Sequence, residues 1–143
     1  MKKISVLLLI TVMLLSACTI NLSSKDVPDL DSTTWTMIAV KDQKALPTSV
    51  VFISFNGQDV SGSGGCNHFG GGVTKDMNGN MEFGMLFMTE MYCVKEGISD
   101  QEYVFLQALS EVNTYYVSGG NLMMENADGD VILEFTQQSQ TED

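Results

Sequence analysis

Asparagine or aspartate followed by glycine recurs along this chain and cuts most of it into pieces too short for anything but strands. Asn56-Gly57, Asn78-Gly79 and Asp128-Gly129 are tight-turn pairs, and Ser118-Gly119-Gly120-Asn121 is a fourth turn. Such residues tolerate the positive φ angles that short hairpin loops require. The intervening runs are rich in β-branched, aromatic and methionine side chains. β-branched and aromatic residues fit a half-buried pleated surface. Strands are therefore predicted at 35–40, 50–55, from Val60 into a glycine-rich stretch, 68–74, 81–86, 114–117, 122–125 and 131–135. Gly62, Gly64, Gly65 and Gly70-Gly71-Gly72 fall in or beside strands, where glycine marks a bend, a bulge or close backbone approach. Alternation along 81–86 puts Met81 and Met85 on one face with Phe83, toward the core.

One stretch changes period. Ser99-Asp100-Gln101-Glu102 has the spacing of a capping box, in which serine and glutamate bond reciprocally to the first amides of a helix. Phe105, Leu106, Leu109 and Val112 then share one helical face, which predicts a single helix at about 100–112. Each parallel crossover needs a dozen or more residues, so one helix argues for antiparallel pairing. The expected fold class is α+β, mainly antiparallel β: a curved sheet or partial barrel with one helix, and Trp35 as a core anchor.

The amino terminus carries a different message. Met1-Lys2-Lys3 is basic, and the 14 positions from Ile4 to Ala17 are mostly apolar. That is shorter than the roughly 20 residues a membrane-spanning helix needs, and it fits the core of a secretory signal peptide. Leu15-Ser16-Ala17-Cys18 resembles the lipobox of bacterial lipoproteins. The resemblance implies cleavage after Ala17 and acylation of Cys18, enough chains for durable membrane attachment. Thr19 follows, where aspartate would suggest inner-membrane retention, so the outer membrane facing the periplasm is expected. The organisation then reads as signal peptide 1–17, lipidated tether 18–29, one domain at 30–136, and a loose polar tail at 137–143, with Thr136 already polar.

The formal charge is −11, and losing Lys2 and Lys3 makes it −13 with no arginine left or lost. Nucleic-acid binding needs clustered Lys and Arg, and so does a basic grip on anionic headgroups. Neither class of partner is expected beyond the lipid anchor itself.

Two segments resemble the META/HslJ-like domain family. Gly64-Gly65-Cys66-Asn67-His68-Phe69-Gly70-Gly71 is similar to its Gly-Cys-Asn-x-Phe-x-Gly signature, through Gly65, Cys66, Asn67, Phe69 and Gly71. Thr89-Glu90-Met91-Tyr92-Cys93 is similar to its Thr-x-Met-x-Cys signature, through Thr89, Met91 and Cys93. Early Trp35, the helix residues Glu102, Phe105 and Leu109, and Gly120-Asn121-Leu122 stand in the matching order. The resemblance spans about 30–136. It implies a curved antiparallel sheet with one helix, and an envelope protein of stress or novobiocin tolerance with no known reaction or ligand.

Few residues remain for chemistry. With Cys18 lipidated, Cys66 and Cys93 are an even pair in an oxidising compartment and read first as a disulfide. Two buried thiols are the plain alternative. A Cys66–His68 thiolate–imidazole pair would share a strand face, but no third orienting group is evident, so no catalytic residue and no enzyme activity is expected. Cys66, His68, Met91 and Cys93 are soft or borderline ligands that would suit copper, yet they form no compact spacing motif. No metal and no cofactor is expected. The favoured partner is an apolar ligand or an envelope protein in a groove of the curved sheet.

Overall fold

The computed structural model describes residues 25–138. The signal-peptide segment 1–17, Cys18 and most of the tether lie outside the described residues, as do residues 139–143 of the tail. The elements run β1 Thr33–Val40, β2 Gln43–Lys44, β3 Phe52–Asn56, β4 Asp59–Ser63, β5 His68–Lys75, β6 Met81–Met88, α1 Ile98–Glu111, β7 Thr114–Ser118, β8 Asn121–Glu125 and β9 Val131–Gln137. Every strand pairing is antiparallel. The sheet order is β6-β5-β4-β3-β1-β9-β8-β7, with β2 folded back on the end of β1.

The two ends of that path meet at one corner. Asn80 bridges Thr114, Met81 N–H donates to Asn113 C=O at 3.0 Å, and Tyr115 N–H donates to Gly79 C=O at 2.7 Å. A second bridge, Asp26 to Val117, covers the outer edge of β7. Beyond Met81 no strand among the described residues closes the sheet, which is a curled half-barrel. Helix α1 lies in the trough: Phe105 meets Phe69 of β5 and Phe135 of β9 edge-on, with ring centroids 5.6 and 6.4 Å away. Trp35, Ile53, Phe55, Phe105, Leu109, Leu122 and Leu133 are buried in one core. The Trp35 indole N–H donates to Thr33 Oγ1 at 2.8 Å.

Three register shifts give the strands their curl, because an extra residue on one strand bends it and turns the following side chains to the other face. In β1 the shift falls between Met37 and Ala39, in β9 between Val131 and Leu133, and in β6 between Phe83 and Leu86. The last corrects an expectation. Met81 is buried but Met85 is 94 % exposed, since three residue steps on β6 span two on β5 and alternation is broken at Gly84-Met85.

Two further expectations change, and one strand is new. The helix starts at Ile98 behind Gly97, whose φ of 78° makes a left-handed entry, and no side chain caps it. Ser99 already lies within the first turn, so the capping box is not formed. Thr136 and Gln137 belong to β9, and Gln138 N–H donates to Thr34 C=O at 3.0 Å; the polar end is held by backbone bonds that its composition does not reveal. Strand β2 carries no sequence signal, because its turn uses Lys41 and Asp42 at positive φ without glycine.

Candidate functional site

The chain between β4 and β5 doubles back at Gly64 to Asn67, and Gly64 N–H donates to Asn67 C=O at 2.9 Å. Gly65 takes a φ of 108°, a region closed to most side chains. This turn exposes the amides of Cys66 and Asn67 to one acceptor, the carboxylate of Glu102. Asn67 N–H donates to Glu102 Oε1 at 2.6 Å, Cys66 N–H reaches the same oxygen at 3.4 Å, and Asn67 Nδ2 donates to Oε2 at 2.7 Å. Glu102 is only 5 % exposed. A buried carboxylate is tolerable when several donors replace its water, and here the donors come from the loop. Gly64 makes the room, since a Cβ there would fall 2.6 Å from Glu102 Cγ and Oε1.

Asn67 links this loop to the segment after β6. Its Oδ1 accepts from Thr89 Oγ1 at 3.0 Å and from Met91 N–H at 2.7 Å. Thr89 Oγ1 in turn accepts from His68 N–H at 3.1 Å. Cys66 and Cys93 are joined as a disulfide, with Cα atoms 6.0 Å apart, and the carbonyl of Met91 sits 3.8 and 3.7 Å from the two sulfurs. Gly65, Cys66, Asn67, Thr89, Met91 and Cys93 thus meet in one brace, with Glu102 as its third leg. Phe69 and Gly71 lie on β5, where the ring of Phe69 covers Gly62 and Gly71 lies against the Met85 carbonyl.

The chemistry weighed from the sequence is not assembled. Cys66 precedes β5 rather than lying in it, and its sulfur is bonded to Cys93. Among the described residues the ligand atoms that gather within 4.8 Å are those of Cys66, Cys93 and Glu102, and His68 is not with them. Met91 contributes its backbone to the brace while its side chain is half exposed. The set Cys66, His68, Met91 and Cys93 is therefore not a shared pocket.

From β6 into the brace the chain leaves a rim of uncovered apolar side chains, on both faces of the strand, that sequence reasoning missed: Met85, Phe87, Met88, Met91, Tyr92 and Val94. The available signal was the unbroken run Met85-Leu86-Phe87-Met88, whose lack of alternation means one member of each pair must face outward. Phe87 lies over Gly70, whose missing Cβ leaves space for the ring. On the other side, Phe69, Phe83, Leu86 and Met88 face Leu106 and Ser110 of α1 across a groove of about 190 Å³.

A model of the META domain family matches residues 28–139. No curated protein matches. A solution structure of a protein from Burkholderia xenovorans is 25 % identical, with TM-score 0.63, covering 82 % of this chain and 96 % of that one. A second solution structure is 21 % identical with TM-score 0.62, covering 79 % and 95 %. A crystal structure of a DUF4847 family protein from Bacteroides vulgatus shares the fold at 13 % identity and TM-score 0.53, covering 78 % and 96 %.

Proposed function

This chain belongs to the META domain family, and on that footing we propose that it is a non-enzymatic binding module of the bacterial envelope. Its anchor is a lipid on Cys18, its place is the periplasmic face of the outer membrane, and its role is in stress or novobiocin-type tolerance. One observation carries the reading: both cysteines and Glu102 are spent on bracing, and the brace lies next to an uncovered apolar rim. Cys66 and Cys93 are bonded to each other, and Glu102 is engaged by three donors. Contiguous exposed apolar patches on soluble domains mark interaction sites. Met88 and Leu106 line the groove, and Tyr92 is 92 % exposed.

The test is complementation. A strain lacking the gene is expected to lose tolerance to novobiocin and to regain it with the wild-type gene. Cys18→Ala is expected to move the protein from the membrane to the soluble fraction. A Met88→Asp, Tyr92→Asp double variant is expected to stay anchored and folded but fail to restore tolerance. Full rescue by that folded variant would overturn the binding role.

A further inference from the structure

Past Met81 the outer edge of β6 has no strand partner among the described residues. Soluble proteins blunt such edges with charges, proline or bulges. Phe83 to Thr89 contains no charge and no proline. The one device present is the bulge at Gly84-Met85, which leaves the stretch from Met85 to Thr89 open. There Leu86 and Met88 line the groove toward Leu106, while Phe87 covers the opposite face. An added strand would turn alternate side chains toward that face, and the groove has room for about one leucine-sized group of them.

We infer that β6 captures an extended segment of a partner protein by strand addition, the segment carrying alternate apolar side chains and ending in Lys or Arg. This rests on the binding-module reading and names the partner's chemistry.

Charge argues for the basic ends. Glu82 and Glu90 are exposed at either end of the edge, and no Lys or Arg occurs from Asp76 to Val94. A second copy of this chain would bring a like, strongly negative charge to the contact. Topology argues against the anchoring membrane as occupant. At the Asn80–Thr114 bridge β6 and β7 run in opposite directions, so Met88 and Val117 lie toward opposite ends of the half-barrel. Val117 holds Asp26, next to where the chain leaves toward Cys18. The two ends are roughly 30 Å apart at about 3.4 Å per residue with barrel tilt allowed for. The seven steps from Lys25 back to Cys18 reach at most about 25 Å. The rim and the end from which the chain runs to Cys18 therefore lie at opposite ends of the half-barrel.

The probe is a blocked peptide, Lys-Val-Thr-Leu-Thr-Val-Lys, titrated into the purified protein and followed by amide exchange and chemical-shift mapping. Binding is expected to slow exchange of edge amides between Met85 and Thr89 at least about tenfold. Replacing both lysines by glutamate, or methylating alternate peptide nitrogens, is expected to weaken it at least about tenfold. Met85→Lys, at a position already exposed, is expected to abolish it while the thermal midpoint holds. Equal binding by the methylated peptide would overturn strand addition yet leave a binding groove in place. Failure of every peptide to bind, a β6-dependent dimer in sedimentation, or partition of the rim into phosphatidylcholine vesicles would each overturn the inference. Only the complementation result above bears on the wider role.

Discussion

At the scale of single residues, Asn67 has no freedom to change its mind. Its carbonyl oxygen takes two donors from the Thr89–Met91 segment while its amide and backbone N–H both go to Glu102. Glu102→Gln would aim one amide nitrogen at another, and Asn67 cannot flip to relieve it without losing Thr89 and Met91. Hydrogen bonds to a charged group are worth about 1.5–3 kcal/mol, so that substitution is expected to lower stability by about 2 kcal/mol. A urea midpoint that falls with an unchanged slope would report it; an unchanged midpoint would show that the carboxylate charge is dispensable. Glu102 is also where reading the sequence went astray. Its spacing from Ser99 fits a cap, but Gly97 opens the helix two residues earlier, leaving Glu102 to serve a loop 35 residues away. Long-range acceptors of this kind leave no local pattern.

Among the elements, hairpins were legible and faces were not. Asn56-Gly57, Asn78-Gly79, Gly119-Gly120 and Asp128-Gly129 all stand at or within strand-to-strand turns, because a positive φ selects for glycine locally. The glycines of β4 and β5 could be read as close approaches but not as approaches to what; Phe69 and Phe87 fill the spaces over Gly62 and Gly70. The exposure of Met85 follows from a bulge, which depends on the partner strand. The disulfide joins the loop before β5 to the lead-in of α1 across a separation of 27 residues. Closing a loop of that length is worth about 3–4 kcal/mol through the unfolded chain. Reduction, or Cys66→Ala with Cys93→Ala, is expected to cost about that much in urea unfolding, and a loss below about 1 kcal/mol would mean the hydrogen-bonded brace suffices alone.

For the molecule as a whole, the seam between the β5–β6 turn and β7 decides whether the sheet stays curled. The Tyr115 hydroxyl donates there to the carbonyls of Pro28 and Asp76, at 3.1 and 3.3 Å. Burial, with the nearby charges of Asp29 and Asp76, raises its pKa above the ordinary 10.0. A raised folded-state pKa gives stability that is complete below the unfolded value and is lost as pH rises through the folded one. Alkaline titration is therefore expected to loosen the seam first, seen as faster exchange of the Tyr115 and Met81 amides, and Tyr115→Phe is expected to remove that dependence above pH 10. The same enclosure has an optical consequence. Trp35 is the sole tryptophan and is 3 % exposed at the middle of the sheet, so every photon of indole emission reports on one central point. Its blue-to-red shift on denaturation should track the global transition alone, leaving any melting confined to the rim invisible to fluorescence.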